Sequence, residues 1–112
     1  MKEFRDAPIG LTDDKVVSLF VRNQSDEPIV ALVNFACHPT SHGASWFHTV
    51  HPEFTGYGMD QVECLTGFPG FFIQGAAGNQ TPGKYAENTL ESAKNLGNRL
   101  ADAVTTSMGI AV

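Results

Sequence analysis

The sequence predicts a single α/β domain, a small mixed sheet in β-β-α-β-α order with helices packed on it. Three observations lead there. Two β-branched, apolar runs are joined by a short polar turn, which reads as a hairpin. A third apolar run is reached only through a helical segment, which implies a right-handed crossover and a parallel strand. The last stretch is an amphipathic helix that needs a sheet to lie on. With 112 residues, one domain spanning 1–112 is the size the chain allows.

The first strand is KVVSLFVR at 15–22, rich in the residues that suit a pleated, half-buried surface. NQSDEP at 23–28 is turn chemistry, and IVALVNFA at 29–36 is the second strand. Its two faces, Ile29, Ala31, Val33 and Phe35 against Val30, Leu32, Asn34 and Ala36, are both mainly apolar. That pattern predicts a central strand covered on both sides. Residues 37–51 carry no period and read as a loop punctuated by Pro39 and Gly43. Pro52 and Glu53 suit the first turn of a helix, where a missing N–H costs nothing and a negative charge meets the dipole. Phe54, Gly58, Val62 and Leu65 then follow at helical spacing to an end near Gly67. FPGFFIQG at 68–75 is the third strand, GAAGNQTPG is a glycine-rich loop, and Leu90, Ala93, Gly97, Leu100 and Val104 form one helical stripe.

Seven basic against twelve acidic residues leave a net charge of −5. Nucleic acid is thereby excluded as a partner, because no Lys/Arg cluster is available to displace counterions from phosphates. An anionic membrane surface is disfavoured for the same reason. No apolar run approaches the ~18 residues a transmembrane span requires. MKEFRDAPIG has no signal-peptide stretch, and localisation is left open. A charged fraction of 17% is low, which hints at cover from further segments of a longer parent or from a homo-oligomer. Cys37 and Cys64 fit no metal or redox spacing; they read as two small buried hydrophobes, or as one disulfide if the fold brings their Cα atoms within ~7 Å.

All four histidines, His38, His42, His48 and His51, lie close together, and neutral imidazole is a common zinc ligand. Spacing alone favours a polar loop, since Pro39 and Gly43 oppose a helix across the first pair. Position singles out His38, which stands just beyond the carboxyl end of the second strand, where α/β sheets gather their sites. The glycine-rich loop should emerge at the same edge if the strands are parallel. Gly78-Asn79-Gln80-Thr81-Pro82-Gly83-Lys84 fits the start of a phosphate-binding loop, but Tyr85 stands where Ser or Thr should hold magnesium. The competing reading presents Asn79 and Thr81 on a turn, with Gly75 and Gly78 letting a ligand approach.

Two of these segments resemble the neutral ceramidases. Asn34-Phe35-Ala36-Cys37-His38-Pro39-Thr40-Ser41 looks like the family's N-F-A-x-H-P-T-S, and Gln74-Gly75-Ala76-Ala77-Gly78-Asn79-Gln80-Thr81-Pro82 looks like Q-x-x-A-G-N/D-x-S-P. Between them, His51-Pro52-Glu53-Phe54-Thr55-Gly56-Tyr57 resembles S-x-D-x-x-G-Y, with Glu53 at the acidic position. The resemblance runs over roughly residues 8–106. It implies a zinc-dependent amide hydrolase acting on an N-acyl-sphingoid lipid or another amide. His38 would be a zinc ligand, Thr81 would stand at the essential serine, and Asn79 would orient substrate or oxyanion. Gln74, Gly75 and Gly78 would border the substrate. The family's upstream H-T-H-type motif and its C-terminal Glu and Tyr have no counterpart here. The resemblance therefore implies a chain incomplete as an isolated enzyme, or else a non-catalytic binding or assembly module that keeps the fold.

Overall fold

In a computed structural model, residues 8–41 and 48–109 are described. The observed order is the predicted one: β1 (Val17–Arg22), β2 (Pro28–Phe35), α1 (Glu53–Thr66), β3 (Gly70–Gln74) and α2 (Leu90–Ser107), with a short 3₁₀ turn at Gly83–Tyr85. The sheet runs β1-β2-β3, so β2 is central as expected. β1 pairs antiparallel with β2, Leu19 opposite Leu32, and β2 pairs parallel with β3, Val33 beside Phe72.

Local chemistry explains the turns. The Asn23 carboxamide oxygen accepts the N–H groups of Ser25 and Glu27, both at 2.9 Å, which closes the hairpin without a glycine. Pro28 opens β2 at its first position, beside the register shift at Val21/Arg22, where a missing donor does least harm. Helix α1 ends on Gly67 at φ 80°, whose N–H reaches the Glu63 carbonyl at 2.8 Å. Helix α2 begins after Thr89, whose hydroxyl accepts the Ser92 N–H at 3.0 Å.

Both helices lie on one face of the sheet. Ala31 and Val33 of β2 are fully buried there, with Phe54, Met59 and Val62 of α1 and Leu100, Ala101 and Val104 of α2. Phe20, Phe35 and Phe72 complete the layer from the sheet side. The expected second layer is missing among the described residues. Val17, Leu19, Phe71 and Ile73, all on the opposite face, are 58%, 60%, 58% and 46% exposed. Both faces of β2 are apolar, but the helices suffice to cover only one. Two smaller expectations also change. Leu65 and Leu90 are more than a third exposed at the margins of their stripes, and Met59 enters the core instead. Cys64 faces solvent, so only Cys37 behaves as a buried hydrophobe, and the two thiols are free.

The helices meet through glycine. A Cβ on Gly97 would come within 2.8 Å of the Gly58 nitrogen and 2.9 Å of the Phe54 carbonyl oxygen. The backbones of α1 and α2 thus touch directly at one crossing point, and the rest of the contact is built around it.

Candidate functional site

Parallel pairing of β2 and β3 carries their two outgoing loops to the same sheet edge. At the strand ends the Gly75 N–H donates to the Phe35 carbonyl at 3.0 Å, and farther out the His38 N–H donates to the Gln80 carbonyl at 2.9 Å. The Ala36–Ser41 turn and the Gly75–Gly83 loop are therefore stitched together, as the placement of His38 and the glycine-rich loop predicted.

Gln80 is the clamp between them. With its amide nitrogen turned toward the acceptors, it donates to the carbonyls of Ala36 (2.8 Å) and Asp13 (3.0 Å), and its oxygen accepts from the Asp13 N–H (3.2 Å). One half-buried side chain thereby ties the segment before β1, the end of β2 and the glycine-rich loop. Nothing in the sequence marks it, because a glutamine in an aperiodic loop has no pattern to stand out from.

Beneath this edge lies an open cleft of about 720 Å³. Its apolar wall comes from Phe35, Phe54, Leu96 and Leu100, and its rim carries Asn79, Thr81, Lys84, Arg99 and Asp13. Tyr85 closes one end, with the Arg99 guanidinium 5.3 Å and the Lys84 ammonium 5.8 Å from its ring centre. An apolar trough bordered by a few polar groups is the usual form of a small-molecule site.

The sequence-predicted residues divide across it. Asn79 and Thr81 are exposed and line the cleft. Gly78 is exposed, with open space where a Cβ would stand, and does not line the cleft. At Gly75 a Cβ would stand 3.0 Å from the backbone of Phe35 and Ala36, so its bareness serves the contact between the strand ends. Gln74 is exposed and folds its amide onto the Gly75 carbonyl at 3.1 Å. His38 is exposed and adjoins the glycine-rich loop through its backbone, but it is not part of the cleft wall, whereas Cys37 is. Burial pushes the Cys37 thiol up from its ordinary pKa, which keeps it protonated at neutral pH and poorly nucleophilic.

A catalytic zinc needs about three protein ligands. No three His, Cys, Asp or Glu side chains converge among the described residues. His48 is exposed, His51 is half-buried beside Glu53, and His42 lies outside the described residues. The described residues thus offer His38 without a complete zinc shell. A phosphate-binding loop is likewise not formed: Lys84 falls in the 3₁₀ turn, and α2 does not begin until Leu90.

The third motif contributes an anchor. The Glu53 carboxylate takes both the N–H of Ser41, at 2.8 Å, and its hydroxyl, and Ser41 is fully buried. The first and middle motifs, well separated in the chain, are joined there.

No family model matches the chain, and no curated protein matches it. A solved structure described as a ceramidase complexed with C2 superposes with a TM-score of 0.69 at 22% identity. The match covers 82% of this chain and 16% of that one. The likeness shows a ceramidase-like α/β fold, and the chain spans about a sixth of the length of the protein it matches. Among the described residues, no helix is long and apolar enough to cross a membrane.

Proposed function

We propose that this chain supplies one sheet edge of a ceramidase-type amide hydrolase, acting on an N-acyl-sphingoid lipid or a related N-acyl amide. The observation that carries the reading is the meeting of two loops, joined by the His38–Gln80 bond, over an apolar cleft that Asn79 and Thr81 border. The cleft suits an acyl chain, and the rim offers a hydroxyl and a carboxamide where a scissile amide would lie. In this reading Thr81 works at the amide, Asn79 orients the carbonyl or its oxyanion, and His38 gives one ligand to a zinc ion. The remaining ligands come from outside the described residues. Threonine keeps the hydroxyl of the family's serine, but its methyl stiffens χ1 and crowds the approach.

A second reading, a non-catalytic binding module, is favoured by that methyl and by the incomplete zinc shell among the described residues. One assay separates them: release of fatty acid from a short N-acyl sphingosine, with zinc present, by the assembled hydrolase whose edge is wild type, His38→Ala or Thr81→Ala. Amide hydrolysis predicts turnover that falls by about 100-fold or more in either variant while circular dichroism is unchanged. Lipid binding without turnover, weakened by Leu96→Asp in the cleft wall, supports the binding module. Absence of both turnover and binding removes both readings.

A further inference from the structure

Glu53 is unusual in its backbone as well as its contacts. It has φ 54°, a left-handed conformation that glutamate rarely adopts, although the neighbouring α1 turns are ordinary helix. Among the described residues the other two non-glycine residues of positive φ, Asp26 and Asn88, are of types that tolerate it and sit at bends between elements. Strain of this kind persists where surrounding contacts hold it in place. The contacts here are specific. One carboxylate oxygen receives the Ser41 N–H and hydroxyl, and the other stands 3.7 Å from His51 Nδ1. The carboxylate is largely shielded, at 16% side-chain exposure, so these bonds form away from bulk water.

The consequence lies three residues up the chain. The Ala36–Ser41 turn is held at one end by β2 and the Gln80 clamp, and at the other by Ser41 on Glu53. Between those points the Thr40 N–H closes on the His38 carbonyl at 2.9 Å. We propose that Glu53 is a positioning residue: its carboxylate draws Ser41 into the protein and thereby holds His38 against the glycine-rich loop. The proposal rests on the function above only for the importance of His38; the geometry it asserts is independent of any reaction.

Hydrogen exchange of the whole chain reads that geometry directly. In Glu53→Ala the His38 N–H, bonded to Gln80, is expected to exchange about tenfold or more faster than in the wild type, while amides inside β2 and α2 keep their rates. Glu53→Gln retains an acceptor oxygen at the same reach and is expected to restore most of the protection. Ser41→Ala removes the hydroxyl alone and should give an intermediate rate, which provides the readout should Glu53→Ala fail to fold. Unchanged exchange at His38, or equal acceleration at every amide, overturns the proposal. If the His38 amide responds but the assembled wild-type protein hydrolyses no amide, the positioning role stands and the proposed function falls.

Discussion

A Gly97→Val variant is expected to melt about 10 °C or more below the wild type, or not to fold at all. The valine Cβ would enter space already held by the Gly58 nitrogen, the Phe54 carbonyl and the Tyr57 Cβ, each within 2.9 Å. Two of those three are backbone, so no rotamer change relieves the clash and the helices must separate. Overpacking of this kind costs ~1–3 kcal/mol for a methylene and more for a branched side chain. A domain of this size loses about 4–8 °C per kcal/mol. Gly97→Ala makes the sharper test, because helix propensity alone predicts a gain of ~1 kcal/mol. The packing predicts a loss, and the sign of the change in melting temperature decides between them.

Gly75→Val is the second large effect, and it acts on the candidate site. A Cβ at this position meets the Ala36 Cα and nitrogen and the Phe35 carbonyl carbon, all at 3.0 Å. Relief requires β3 to move away from the end of β2, which breaks the Gly75–Phe35 bond and pulls the Gln80 clamp off Ala36. A loss of ~2–3 kcal/mol is expected from the urea midpoint at unchanged slope. Any amide hydrolysis should fall further than this loss of stability explains, because the two loops no longer face each other. Equal falls in stability and activity would return Gly75 to a purely structural role.

Much of this architecture could be read from local chemistry. Alternation in 29–36 placed Ala31, Val33 and Phe35 on one face, and that face is the one the helices cover. The α2 stripe of Ala93, Gly97, Leu100 and Val104 is buried as its spacing predicts. Covering of only one sheet face was not legible, because Leu32 and Val33 look alike in a pattern and only the third dimension says where the helices go. The site was half legible. Strand ends and parallel pairing brought His38 and the glycine-rich loop to one edge. Gln80 and the Ser41–Glu53 anchor stayed hidden, since each joins segments whose meeting depends on the whole fold. That the missing Cβ of Gly75 makes room for Ala36 was likewise hidden, because the sequence does not say which backbone passes beside it.

The uncovered side of the sheet changes how this chain responds to heat. Unfolding raises the heat capacity in proportion to the apolar surface newly hydrated, ordinarily ~12–15 cal/mol/K per residue. Val17, Leu19, Phe71 and Ile73 are already in contact with water in the native state, so their release adds little to that step. The calorimetric step of the isolated chain thus falls below the value its length suggests, and its stability curve is correspondingly shallow. Anything that came to lie on that face would restore the missing heat capacity on association, which makes the temperature dependence of binding a direct gauge of how much of the sheet has been dried.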